Sequence, residues 1–164
     1  VNEHRVAILT VSDKGSRGER EDKSGRAVEE AISLRGWRVA ARDMVPDELE
    51  EIAARLRYYS DELRVDLVLT TGGTGLGPRD VTPEATRRVI DKEAPGFAEA
   101  MRAASLSKTP HAMLSRAVSG IRSSTLIINL PGSPRGAAEN LEVILPALPH
   151  GLEKLCGDES ECAT

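Results

Sequence analysis

The stretch LVLTTGGTGLGPRDVTPEATRRVI (residues 67–90) runs from a hydrophobic segment through four glycines to an acid and the start of a helix. Leu67, Val68 and Leu69 form an unbroken apolar run, the pattern of a strand covered on both faces. Thr82, Pro83 and Glu84 open a helix, because proline is tolerated at the first helical position and an acid suits the first turn. A strand, a glycine loop and a helix in that order read as an anion cradle: glycines let backbone N–H groups close around a phosphate, and the helix presents its positive end. Two familiar phosphate signatures nevertheless fail here. A Walker A loop ends in Gly-Lys-Ser/Thr, whereas this one ends in Gly77, Pro78, Arg79 and Asp80. The dinucleotide pattern G-x-G-x-x-G, begun at Gly73, meets Pro78 where its third glycine belongs.

The same strand-then-helix pattern repeats outward from this stretch. Unalternated apolar runs recur in RVAILTV from Arg5, WRVAARDMV from Trp37, DLVLTT from Asp66 and TLIINL from Thr125. Between them, Ser24 reads as the cap of a helix carrying Ala27, Val28, Ala31 and Ile32, with Gly36 as its stop. Asp47 and Glu50 read as a capping pair for a helix through Leu49, Ile52, Ala53, Leu56 and Tyr59. Pro95 and Gly96 break the chain before a helix bearing Phe97, Met101 and Ala104, and a shorter helix is expected around residues 112–117. Ser133 and Pro134 open a last helix burying Leu141, Ile144 and Leu145, which Pro146 and Pro149 must divide.

Alternating strands and helices predict an α/β fold: an open, mostly parallel, doubly wound sheet with helices on both faces. With strand order 2-1-3-4, the helices after strands one and three lie on opposite faces, and their loops diverge to leave a crevice. Those loops are SDKGSRGEREDKSG (residues 12–25) and TGGTGLGPRDVTP (residues 71–83), both rich in glycine, hydroxyls and charge. The predicted crevice therefore coincides with the segments that look least like structure.

A chain of 164 residues with 40% apolar content suits one globular domain, taken as residues 1–156 with a polar tail over 157–164. Its 22 Lys and Arg against 26 Asp and Glu leave a net charge of -4, which gives no electrostatic footprint for nucleic acid. Cys156 and Cys162 suit neither a disulfide framework nor a four-ligand zinc site, and read as thiols in a reducing cytosol. The opening VNEHRVAILT lacks a leader pattern and no apolar run approaches the ~20 residues that span a bilayer. A soluble, cytoplasmic protein with no membrane partner is expected.

At the crevice, four glycines in six residues cost backbone entropy that an ordinary turn does not require, which favours the cradle. Asp80 reads two ways, as a residue bonding the turn or capping the helix, and as a ligand for Mg²⁺ beside phosphate. Asp47 has the same two readings, and the end of strand two borders the same edge of the sheet. Ser12, Asp13, Ser16, Arg17, Asp22 and Ser24 are loop residues within reach of a ligand. Arg17, Arg79, Arg116 and Arg135 are the guanidinium groups available for phosphate oxygens. NLPGSP (residues 129–134) carries a fourth strand into another glycine turn and so offers a second lobe of a long site. His4, His111 and His150 share no metal-ligand spacing and no Gly-x-Ser-x-Gly elbow exists, so hydrolysis by zinc or a serine triad is not expected.

Taken together, VAILTVSDKGSRGEREDKSG, VPDE, TTGGTGLGPRDVTPEA, SRAVSG and LIINLPGSPRGAAENL resemble the molybdopterin adenylyltransferase family, which includes MogA, MoaB and the gephyrin G domain. The resemblance covers nearly the whole chain. It implies an enzyme that transfers AMP from MgATP to the terminal phosphate of molybdopterin, releasing pyrophosphate, in molybdenum cofactor biosynthesis. It implies catalytic, Mg²⁺-associated roles for Asp47 and Asp80. Nucleotide binding would fall to Ser12, Asp13, Gly72, Gly73, Thr74 and Gly75. The pterin would be bound by Ser115, Arg116, Asn129, Pro131, Gly132, Ser133 and Pro134. It also implies a homotrimer and handover of the product to a molybdate-inserting enzyme. Two alternatives stand beside it: a MoaB-type protein that binds pterin or nucleotide without efficient transfer, and a CinA-like hydrolase of nucleotide pyrophosphates.

Overall fold

The computed structural model describes residues 3–157 and 159. The four apolar runs become the strands β1 (Arg5–Val11), β2 (Arg38–Val45), β3 (Leu67–Thr71) and, as the last strand in the chain, β6 (Thr125–Leu130). Together with β4 (Lys92–Glu93) and β5 (Ser119–Arg122) they form one six-stranded sheet ordered β2-β1-β3-β6-β5-β4. β2, β1, β3 and β6 run parallel, in the expected 2-1-3-4 order of the four apolar runs. β5 and β4 add an antiparallel edge. Sequence reasoning missed both, because β4 is two exposed residues and β5 (SGIR) has no apolar run.

Successive side chains of a strand point to opposite faces, and this divides the core in two. Val6 and Ile8 of β1, Leu67 and Leu69 of β3, and Leu126 and Ile128 of β6 pack under α2 (Lys23–Leu34), α5 (Gly96–Leu106), α6 (Pro134–Ile144) and α7 (Leu148–Leu155). Ala7, Leu9, Val68 and Ile127 pack under α3 (Leu49–Arg57) and α4 (Thr82–Val89). Every residue of β3 and β6 is buried, as strands covered on both faces require. Each such Leu or Ile stabilises the fold by roughly 1.5–3 kcal/mol relative to exposure. The helices that follow β1 and β3, α2 and α4, lie on opposite faces, so the loops before them part at the carboxyl end of the sheet.

Three local expectations are corrected. The cap of α2 is Asp22, whose carboxylate accepts from Gly25 N–H at 2.9 Å, while Ser24 lies inside the helix and its hydroxyl meets Thr71 Oγ1 at 3.1 Å. Asp47 does not cap α3; that position is Glu48, without a side-chain bond, because the Asp47 carboxylate is turned to the loop after β1. The helix expected around residues 112–117 is a 3-10 turn over Pro110–Leu114 capped by Thr109. Beyond it the backbone is committed elsewhere: Arg116 N–H donates to Thr74 O at 2.8 Å and Val118 N–H to Asn129 Oδ1 at 3.1 Å. Pro146 and Pro149 accompany the division into α6 and α7 as expected. Of the polar tail only Gly157 and Glu159 are described, and Cys162 lies outside the described residues. No helix among the described residues is long and apolar enough to cross a membrane.

Candidate active site

The loops after β1 and β3 part around a cavity of about 800 Å³, to which the loop after β6 also contributes. The glycines explain how three loops come so close. Gly72 and Gly73 take φ values of +93° and +69°, in the left-handed region that disfavours any side chain. A Cβ on Gly72 would stand 2.4 Å from Val11 O, and Gly132 of the β6 loop already brings its own Cβ position within 3.2 Å of Gly72 Cα. Gly75 and Gly77 serve differently: a Cβ on either would lie 2.9 Å from Asp80 Oδ2. Two glycines let backbones meet, and two clear room for a carboxylate.

That carboxylate closes the loop on itself. Asp80 Oδ2 accepts from Gly77 N–H at 2.9 Å, and Asp80 N–H donates to Gly77 O at 3.0 Å. Thr82 Oγ1 donates to Gly72 O at 2.9 Å, tying the start of α4 to the end of β3. Arg116 holds the outside of the loop, donating to Gly75 O and Asp80 O at 2.7 Å each and pairing with Glu84. Its guanidinium therefore shapes the glycine loop, and Glu84 is held below the usual carboxylate range chiefly by this contact.

Asp47, after β2, reaches the same cavity by a reciprocal contact. Its Oδ2 accepts from Asp13 N–H at 2.9 Å, and its own N–H donates to Asp13 Oδ1 at 3.0 Å. Asp13 begins α1 (Asp13–Ser16), a short helix hidden inside what reads as loop and capped by Ser12. Arg79 of the glycine loop grips the Asp13 carboxylate at 3.0 and 3.1 Å and Glu48 at 2.9 Å. Three loops are thereby clasped together. Arg79 holds Asp13 below the usual carboxylate range. Asp47 goes the other way: burial pushes it up, and the negative charges of Asp13 and Asp80 add to the rise.

A half-buried carboxylate destabilised by its acidic neighbours, with a second carboxylate on the same cavity wall, suits a cation that relieves the repulsion. Among the described residues no group of three or more His, Cys, Asp or Glu forms a closed cage. That donor set fits Mg²⁺, which takes one or two carboxylates and completes its shell with phosphates and water.

A second cavity of about 290 Å³ lies between α5, the Pro110–Leu114 turn and α6. Ser115 and Pro131 line it, and Ser133 lines both cavities, so the two adjoin at the start of α6. Asn129 forms part of its wall with a side chain already committed: Nδ2 donates to Thr70 and Thr86 at 3.1 and 3.0 Å, and Oδ1 accepts from Val118.

The structure thus gathers Ser12, Asp47, Gly72, Gly73, Asp80, Gly132, Ser133 and Pro134 at the larger cavity, and Ser115, Asn129, Pro131 and Ser133 at the smaller. Asp13, Thr74, Gly75 and Arg116 stand behind the walls rather than on them: Thr74 is buried, and the other three are bonded as described. The guanidinium groups singled out for phosphate are all paired with acids, Arg17 with Glu19, Arg79 with Asp13 and Glu48, Arg116 with Glu84, and Arg135 with Glu139. The cations that do line the larger cavity are Arg20 and Lys23, which sequence reasoning missed. Reading Asp22 instead of Ser24 as the cap would have placed Lys23 at the first helical position, facing the crevice.

The sequence profile described as a probable molybdopterin binding domain matches residues 7–150. A molybdopterin adenylyltransferase of Helicobacter pylori strain J99 is 44% identical over 155 residues, covering 93% of this chain and 88% of that protein. The crystal structure of the molybdopterin biosynthesis enzyme MoaB from Thermus thermophilus is 55% identical with a TM-score of 0.90, over 94% of this chain and 98% of that one. The tungsten cofactor synthesizing protein MoaB from Pyrococcus furiosus is 34% identical with a TM-score of 0.86, over 94% of this chain and 98% of that one. With its strand order, its glycine loop and these relatives in agreement, the chain belongs to the molybdopterin adenylyltransferase family, the family of the probable molybdopterin binding domain.

Proposed function

We propose that this chain transfers AMP from MgATP to the terminal phosphate of molybdopterin, releasing pyrophosphate, as a step of molybdenum cofactor biosynthesis. The observation that carries the reading is the pair of adjoining cavities, with Asp47 and Asp80 on the wall of the larger one and Ser133 shared between them. The larger takes the nucleotide, and the smaller, bounded by Ser115, Asn129 and Pro131, takes the pterin.

In the reaction an oxygen of the pterin phosphate forms a bond to the α-phosphorus while the bond to pyrophosphate breaks. Little covalent help is needed, so positioning and charge neutralisation supply most of the acceleration. Asp47 and Asp80 would hold Mg²⁺, directly or through water, and the ion when bound would neutralise the phosphate oxygens. Gly72 N–H is engaged by Leu130 O and Gly77 N–H by Asp80, so within the glycine loop it is Gly73, on the cavity wall, whose backbone N–H would face the transferring phosphate. Asp13 and Arg79 keep the Asp47 loop in place, and Arg116 keeps the glycine loop in place. We expect a homotrimer, and a molybdate-inserting enzyme to consume the adenylylated product.

Pyrophosphate release from MgATP by the purified protein, with and without molybdopterin, tests this reading. Release that requires the pterin supports adenylyl transfer. One observation favours a second reading, in which pterin and nucleotide bind without efficient transfer: both carboxylates are already engaged by backbone N–H groups, Asp47 by Asp13 of the neighbouring loop and Asp80 by Gly77 of its own. Tight pterin binding with no pyrophosphate would put that reading first.

A further inference from the structure

The charged residues of the larger cavity come from loops leading to helices on both faces of the sheet. Asp47 and Asp80 stand just before α3 and α4, which cover one face. Arg20 and Lys23 stand at the start of α2, which covers the other face. All four line the cavity. Glu21 and Asp22 line it too, beside the cations, but are committed to other partners, so the charge left without an acidic or basic partner on that side is cationic.

The acids nearest the cations in sequence are already engaged. Glu21 pairs with Arg26 at 3.4 Å. The Asp22 carboxylate accepts from Thr10 Oγ1 at 2.9 Å and from Gly25 N–H, with Arg42 beside it at 3.7 Å. No acid among the described residues pairs with Arg20 or Lys23, in contrast to Arg17, Arg79, Arg116 and Arg135. An exposed cation is unremarkable alone. Two adjacent ones on a cavity wall, opposite a pair of carboxylates, match a ligand that is itself polyanionic and carries a divalent cation at one end.

We infer that Arg20 and Lys23 bind the leaving pyrophosphate, the β- and γ-phosphates of the nucleotide. This rests on the adenylyl-transfer reading and adds the direction of the reaction within the site. An in-line displacement requires the attacking oxygen and the leaving group on opposite sides of the α-phosphorus. The pterin cavity joins at Ser133, and neither Arg20 nor Lys23 reaches it. With the pterin entering at Ser133, the leaving group is assigned to the part of the larger cavity wall that the smaller cavity does not share, where Arg20 and Lys23 stand. Lys23 adds a second device, because as the first residue of a 12-residue helix it stands where backbone N–H groups and the helix dipole favour anions.

The test uses Arg20→Ala and Lys23→Met in the full chain. Both side chains are exposed, so thermal melting is expected to be unchanged and to show that the variants fold. Calorimetric titration with inorganic pyrophosphate and Mg²⁺, and separately with AMP, reads the subsite without turnover. Steady-state kinetics with ATP and molybdopterin read it with turnover. Each variant should weaken pyrophosphate and raise the KM for ATP about tenfold, the scale of one charge-assisted hydrogen bond, while AMP affinity and the KM for molybdopterin hold. Unchanged pyrophosphate affinity overturns the inference, and so does a loss confined to molybdopterin, which would assign the cations to the pterin phosphate. If the wild type releases no pyrophosphate, transfer fails as a reading by itself, and the pyrophosphate titration still decides whether the cations form the subsite.

Discussion

The loops after β3 and after β1 border the same cavity and are both rich in charge, yet they use charge in opposite ways. In the glycine loop nearly every charged group is tied to protein: Asp80 to Gly77 N–H, Arg79 to Asp13 and Glu48, and Arg116 to two loop carbonyls from outside. In the loop after β1, Asp13 and Asp22 are tied down, while Arg20 and Lys23 stand at the cavity without an acidic partner among the described residues. Rigidity comes from one loop and available charge from the other. A site that must place a phosphorus atom accurately and then release a polyanion has use for both.

The sharpest way to break this contrast is to loosen the rigid loop. Gly73→Ala puts a side chain at φ +69° and within 2.3 Å of Thr82 Oγ1, so it should cost about 1–3 kcal/mol and most of the turnover. Thermal melting and pyrophosphate release measured together would show it, and a fully active, equally stable variant would mean the loop tolerates what its geometry forbids. Arg116→Met removes the bonds to Gly75 O and Asp80 O, with an expected loss of about 2 kcal/mol and a drop of several degrees in Tm. Nucleotide affinity should fall more than pterin affinity in that variant, because the guanidinium holds the glycine loop.

Smaller effects separate two acids, Asp47 and Asp13. Asp47 is raised by burial and by its acidic neighbours, so it takes up a proton at a higher pH than an ordinary aspartate. Its folded pKa lies above the unfolded one, so its contribution to stability is present at low pH and is lost as pH rises through the raised value. A bound metal needs the ionised form, so Mg²⁺ affinity should decline, as pH is lowered, sooner than a normal carboxylate near ~3.9 would dictate. Titrating Mg²⁺ across pH checks this. Asp13 has the opposite sign: its pKa is depressed, and the stability it contributes is present above the unfolded value and lost as pH falls through the folded one. Arg79→Ala should return Asp13 toward the ordinary range with little change in melting, a shift visible by NMR of the carboxyl carbon.

The fold was legible where burial on both faces leaves a run unalternated, as in Val68 and Ile127, and the parallel order followed from strand and helix succession. It was illegible where strands exist only through pairing: Lys92 and Glu93 become β4 by meeting Ile121 and Gly120. At the site, an acid after the glycine loop drew attention to Asp80 and an acid at the end of the second strand to Asp47, and both line the cavity. Arg79 and Arg116 were not sortable, because their carboxylates are tertiary neighbours 31 to 66 residues away, Glu48 and Asp13 for Arg79 and Glu84 for Arg116, whereas Arg17 and Arg135 pair locally with Glu19 and Glu139. Lys23 was hidden by a shift of two residues in the cap of α2, from Ser24 to Asp22.

The most direct test is Asp80→Asn, assayed for pyrophosphate release from MgATP in the presence of molybdopterin and for equilibrium binding of the pterin. The substitution keeps the shape of the side chain and removes the charge that would organise the metal. Turnover should fall by about a hundredfold or more while pterin affinity changes little, since the loss would lie in stabilising the transition state rather than in binding. Full turnover in Asp80→Asn would contradict the assignment of the metal-dependent step to this loop.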